Sequence, residues 1–256
     1  MTHTTGPALP ASYDTTFFAN QGGGMRSARK LLPLIFEYAP ARTLVDVGCG
    51  IGAWTRVAKE LGCTVLGLDG DWVPREQLLI EPEEFVRADL ANPPRDLGRH
   101  FDVALSLEVG EHLPAASAER FVEFLTELAP IVVFSAAVPC QMGTQHINEQ
   151  YPGYWARLFE QRGFAAFDVI RPRCWYDREI EFYYRQNVLV YVSRARAAEF
   201  EAATKASSIG HPLDIVHPDA VPILAQGWVE AGGTMRLIGM LRKTMMQSVR
   251  KRLGLS

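Results

Sequence analysis

At 256 residues, with 48% hydrophobic and 21% charged side chains, the chain has the make-up of one large globular domain, or of one domain with a small extension. A net charge of -3 gives no electrostatic case for nucleic-acid binding. No apolar run is long enough to span a bilayer, and the first residues lack the charged start and apolar core of a secretory signal. Cys49, Cys63, Cys140 and Cys174 form no CxxC pair, which speaks against a zinc site and suits a reducing cytoplasm. Residues 1–12 are polar, with Pro and Gly, and read as a mobile arm. Residues 12–21 carry Tyr13, Phe17 and Phe18, and a glycine run then precedes a helix over 25–38 whose apolar face is Leu31, Leu32, Leu34 and Ile35.

The most informative stretch is 43–54. Leu44, Val45 and Val47 form an apolar run of strand length, Gly48, Gly50 and Gly52 follow, and 53–61 reads as a helix. Strand, glycine loop and helix are the opening of a nucleotide-binding βαβ unit, in which glycine lets backbone N–H groups approach a ligand. The glycines alone fit a dinucleotide site as well. Asp46, two positions before the first glycine, discriminates: a carboxylate there repels a pyrophosphate and suits a cationic ligand. Asp46-Val-Gly48-Cys-Gly50-Ile-Gly52 resembles the first motif of the class I S-adenosylmethionine-dependent methyltransferases, D/E-x-G-x-G-x-G. That resemblance implies S-adenosyl-L-methionine as cofactor and an α/β, Rossmann-like, doubly wound seven-stranded sheet with an antiparallel last strand. It also makes Tyr13, Phe17 and Arg26 candidate lid residues over the cofactor, against the plainer reading of aromatics packed on a sheet edge.

Further strands are predicted over 64–69, 85–90, 101–108 and 131–135, with a helix over 117–128. Asp69 lies at the roughly 20-residue spacing of a ribose-binding carboxylate. Gly70, Asp71 and Trp72 continue its loop, with Trp72 placed to flank the adenine. Asp89 and Leu90 end the third strand, where the family contacts the adenine amino group, and Glu108 ends the fourth. The run Glu108-Val-Gly-Glu-His112-Leu-Pro resembles the family's motif after strand four, which places Glu111 and His112 at the cofactor pocket. A loop over 136–150, a helix over 154–162 ended by Gly163, and strands over 165–170 and 187–192 complete the sheet, and the long 171–186 connection matches the family's antiparallel finish.

Three parts result: an arm with a lid and helix (1–40), a methyltransferase core (41–193), and a helical basic C-terminal extension (194–256). In the extension, 236–253 is basic and amphipathic, a candidate contact to an anionic membrane surface or a helix packed on the domain.

Methyl transfer from a sulfonium is an in-line displacement, and a hydroxyl nucleophile also loses a proton. Ligands in such sheets sit beyond the carboxyl ends of the strands, so the base is expected in the loops after strands four and five. His146, beside Asn148, Glu149 and Gln150, is the first choice of general base and His112 the second. Residues 146–159, 171–175 and 183–187 resemble methyltransferases of bacterial sugar, glycan and natural-product pathways, which implies a small-molecule or glycan acceptor and a biosynthetic role. Asn148, Glu149, Tyr184 and Gln186 are candidate acceptor contacts, with Arg185 nearby, and Arg171 and Arg173 suit an anionic acceptor group. No acid–histidine cluster shows metal-ligand spacing along the chain, so a metal-independent enzyme is expected. Two other classes stay open: an enzyme that cyclises or cleaves S-adenosylmethionine, and a non-catalytic partner protein with the cofactor fold.

Overall fold

The computed structural model describes residues 22–208, 214–233, 235, 238, 239 and 241. Tyr13 and Phe17, and the predicted helix over 236–253 apart from three residues, lie outside them. Among the described residues no helix is long and apolar enough to cross a membrane.

The first helix, α1 (Gly22–Tyr38), buries Ala28, Leu31, Leu32 and Ile35, the face its periodicity predicts. Strand β1 (Thr43–Val47) leads through the glycine loop into α2 (Ala53–Glu60), and β2 (Thr64–Asp69) follows. Then come β3 (Phe85–Arg87), β4 (Val103–Leu107), α3 (Ala118–Leu128), β5 (Ile131–Ser135), α4 (Pro152–Gln161) and β6 (Phe164–Phe167). The 171–186 connection, expected as a plain link, winds into two short helices, α5 (Arg171–Cys174) and α6 (Phe182–Asn187). Strand β7 (Leu189–Ser193) and α7 (Arg194–Thr204) follow.

The seven strands lie in the order β3-β2-β1-β4-β5-β7-β6. All neighbours from β3 to β5 are parallel, and β7 runs antiparallel to both β5 and β6. Successive β1 side chains serve opposite faces, as strand geometry requires. Leu44 joins the core formed with α1 and α2, while Val45 and Val47 join the core of α3 and α4 around Phe121, Trp155 and Phe159. Because β1 has β2 on one side and β4 on the other, the order reverses there, and a crevice opens beyond the carboxyl ends of both strands.

The chain beyond β7 returns to the sheet. Residues 214–217 lead through a 3-10 turn (Pro218–Ala220) into α8 (Val221–Trp228). Arg185 of α6 and the buried His217 ring both donate to the Trp175 carbonyl, at 3.0 and 2.7 Å, and the His217 backbone N–H donates to Gln186 Oε1 at 2.7 Å. Arg185 also pairs with Asp219 at 2.8 Å, and Asp214 accepts from the Gly153 amide at 3.0 Å. At Gly227 a Cβ would stand 2.5 Å from the Cys140 carbonyl oxygen, so the absence of a side chain lets α8 rest directly on the loop after β5.

Candidate active site

The glycine loop occupies the switch point. Gly48, Gly50 and Gly52 have φ of 88°, 55° and 89°, values that side chains resist. A Cβ on Gly48 would meet Val109 Cγ2 at 2.3 Å, and this close approach brings the loop after β4 against the glycine loop. Asp46 lies on the α2 face of β1, only 4% exposed, and accepts from Thr55 Oγ1 at 2.7 Å. Burial, with the Asp69 charge nearby, pushes its carboxyl up to about 7. Asp69 accepts from the backbone amides of Gly50 and Gly70, each at 2.7 Å, so it ties the glycine loop to the end of β2. The Trp72 side chain hydrogen-bonds to the same carboxylate, and its ring lies over the Cα of Gly70. Burial nevertheless raises the Asp69 carboxyl above its ordinary range.

Asp89 lies past the end of β3, which stops at Arg87 rather than at residue 90. It is exposed and accepts from the Ala91 amide and from Asn92 Nδ2, each at 3.0 Å, while Leu90 is buried.

The second half of the site follows β4 and β5. Glu108 takes φ of 56° at the strand end, where its amide donates to Ser135 Oγ at 3.1 Å. Its carboxylate accepts from Gln141 Nε2 at 2.8 Å and Asn187 Nδ2 at 3.2 Å, and burial raises it. Gln141 Oε1 in turn accepts from Asn187 at 2.9 Å, closing a polar triangle between two loops and the end of α6. Gln141 and Asn187 were not singled out by sequence. The former sat in the loop over 136–150 and the latter at a strand start, and neither position carries a local signal that pairs it with Glu108.

The loop after β5 folds back so that the amides of Ile147 and Asn148 donate to the Glu111 carbonyl at 2.9 and 3.0 Å. Glu149 accepts from the amides of Cys140 (2.7 Å) and Met142 (3.1 Å) and pairs with His146 Nδ1 at 2.9 Å. His146 meets the His112 ring edge-on at 4.9 Å between centroids. Burial, helped by the facing His146, lowers His112 to about 4, so it is neutral near pH 7. The Glu111 side chain is fully buried, and no side chain donates to either carboxylate oxygen. Burial and then the Glu108 charge push it well up. Glu108, Cys140, Met142 and Gln145 all hold positive φ without being glycine, so strained backbone gathers in these two loops.

The spacing of His112 and His146 along the chain concealed one arrangement. Ligand atoms of Glu111, His112 and His146 all lie within 4.8 Å of one another, a grouping in space that the spacing along the chain does not show. The fold-back of 141–150 onto the β4 loop makes the juxtaposition, and no linear spacing encodes it.

Other sequence candidates sit elsewhere. Tyr184 packs against Trp54 and accepts from its indole N–H at 3.2 Å, so it braces α2 from the core. Gln186 is fully buried and holds the 217 backbone. Arg171 is not a loop arginine open to an anion, because it is buried and forked onto Asp168 at 2.9 and 2.6 Å. Arg173 is paired with Glu37 and Tyr38 on α1. Arg26 pairs with Glu181 at 2.9 Å and reaches the Glu179 carbonyl, fastening α1 to the segment before α6.

Sheet order, glycine loop and the acids at its rim define the Rossmann-like fold of the S-adenosylmethionine-dependent methyltransferases. Residues 21–169, more than half of the chain, match the methyltransferase domain family, and the chain belongs to it. A curated relative, 2-methyl-6-phytyl-1,4-hydroquinone methyltransferase of Synechocystis, is 28% identical over 152 residues, 51% of this chain and 43% of that protein. The chain thus matches less than half the length of this relative. Among solved structures, a putative O-methyltransferase from Nostoc punctiforme aligns with a TM-score of 0.52 at 14% identity, over 74% of this chain and 62% of the other. Magnesium protoporphyrin IX methyltransferase from Synechocystis with bound S-adenosylmethionine aligns at 0.49 and 17% identity, over 74% of this chain and all of the other.

Proposed function

We propose that this protein transfers the methyl group of S-adenosylmethionine to a hydroxyl of a small, sugar-like acceptor. Membership of the methyltransferase family supports the methyl donor, and Asp46, Asp69 and Asp89 supply acids suited to its cationic end, its ribose and its adenine. One observation carries the acceptor chemistry: His146, held by Glu149, stands beside His112 in the loops after β4 and β5, where the reactive methyl must point. An enzyme for a thiolate or neutral amine has no need of such a group, whereas a hydroxyl must lose its proton as the bond forms. Activation of the acceptor oxygen falls to His146. The chain's other task is positioning, with nucleophile, carbon and sulfur held in line roughly 3 Å apart and water excluded.

The test is a methyl-labelled S-adenosylmethionine assay against a panel of sugars, glycosides and other small alcohols. S-adenosylhomocysteine forming only when an acceptor is present is the expected result. A small product formed from cofactor alone would identify an enzyme that cyclises or cleaves it.

Asp46 makes cofactor affinity depend on pH. Unfolded, its carboxyl titrates near 3.9; folded, near 7. The folded chain therefore binds the extra proton between those values, and this group's contribution to stability is lost as pH rises through that window. A cationic ligand favours the ionised form, so its binding releases the proton. Affinity for S-adenosylmethionine should strengthen from pH 6 to pH 8, and Asp46→Asn should flatten that dependence in a calorimetric series. A wild-type affinity constant over this range would remove Asp46 from the cationic end of the site.

A further inference from the structure

We propose that Glu111, His112 and His146 bind one divalent transition cation, of the zinc, manganese or cobalt kind, at the acceptor end of the pocket. Their ligand atoms lie within 4.8 Å of one another. A tetrahedral set with bonds of about 2.1 Å has ligand atoms roughly 3.4 Å apart, so modest side-chain movement closes the site. Two imidazoles and one carboxylate suit first-row divalent ions, and three protein ligands leave coordination positions open.

Two independent observations point to a ligand here. Glu111 is completely buried, yet no side chain donates to either of its oxygens, an arrangement that burial penalises unless a cation completes it. Both rings are also held from behind as metal-ligating histidines are. Glu149 takes Nδ1 of His146 at 2.9 Å, which leaves Nε2 to bind, and the backbone at Thr144 and Gln145 hydrogen-bonds to the His112 ring. Glu149 is itself fixed by the amides of Cys140 and Met142.

The inference rests on the methyl-transfer reading only for its consequence. An acceptor hydroxyl bound to the ion ionises more readily, and its proton passes to solvent. His146 then activates the acceptor as a ligand of the ion rather than as a free base.

The test begins with purified full-length protein, stripped by a chelator and titrated with Co²⁺ while visible absorption is followed. Saturation at one equivalent per chain is expected. Glu111→Gln, a neutral isostere, should weaken binding at least tenfold, and Glu149→Gln by about 10–100-fold through the ring it orients. A cooperative thermal melt, expected to survive in both, shows that each variant is folded; His112→Asn serves as a second ligand variant should either fail. Absence of saturable absorption in the wild type, or Glu111→Gln and His112→Asn binding cobalt as tightly as wild type, would overturn the site. Wild type that binds one cobalt but transfers no methyl group would leave the site standing and sink the functional reading. Methyl transfer that persists after chelation, in protein that takes up no cobalt, would do the reverse.

Discussion

His146→Ala should lower turnover by roughly 10²–10⁴-fold, the usual span for losing the group that helps an acceptor hydroxyl give up its proton. Cofactor affinity should stay close to wild type, because the ring lies in the loop after β5, where its partners are Glu149 and His112. The measurement is single-turnover methyl transfer with saturating cofactor, alongside calorimetry with S-adenosylhomocysteine. Glu149→Gln should reproduce part of the loss, since it keeps the shape of the side chain and removes the charge that orients the ring. Wild-type turnover in His146→Ala would transfer the role to His112 or Glu149, or indicate an acceptor that needs no activation.

The second large effect is expected at the other end of the pocket. Asp69→Ala should weaken S-adenosylhomocysteine binding by about 1–3 kcal/mol, the range for leaving buried hydroxyls without a charged acceptor. Two losses coincide there. The carboxylate is the proposed ribose contact, and it also receives the amides of Gly50 and Gly70 that hold the glycine loop in shape. Trp72 should be displaced as ribose enters, because its side chain hydrogen-bonds to the same carboxylate in the bare protein. Tryptophan fluorescence that changes on ligand addition in wild type, and not in Trp72→Phe, would follow that movement. An unchanged dissociation constant in Asp69→Ala would remove the residue from the ribose site.

Much of this was legible before any coordinates. Local chemistry carried it: a β-branched run before three glycines, acids at strand ends, and apolar positions at helical spacing on α1 and α3. Those signals act over a few residues and so survive in a linear reading. What was not legible depends on contacts across long stretches of chain. Arg171 sat beside a proline in what looked like a surface connection, and only the Asp168 fork and the Gln186 carbonyl explain its burial. Gln186 and Arg185 carried the polar look of pocket residues, yet their partners are His217 and Asp219, which follow β7. The Glu111–His112–His146 cluster was hidden for the same reason. Its members belong to two loops, which the bonds from Ile147 and Asn148 to the Glu111 carbonyl, and from the Asn148 side chain to the Gly110 carbonyl, bring together.

The contact between Gly227 and Cys140 bears on how such a protein can be re-engineered. The loop over 136–150 and the segment over 214–228 are far apart in sequence but touch at a point that tolerates no side chain, and His217 and Asp219 anchor the second segment to α6. They form one module written in two instalments. A chimaera that imports only the first would set a foreign loop beneath a helix shaped for another. A domain trimmed at the last strand would leave the buried Arg185 guanidinium without its carboxylate. Transplants of substrate preference within this fold therefore need both instalments exchanged together, with position 227 kept as glycine.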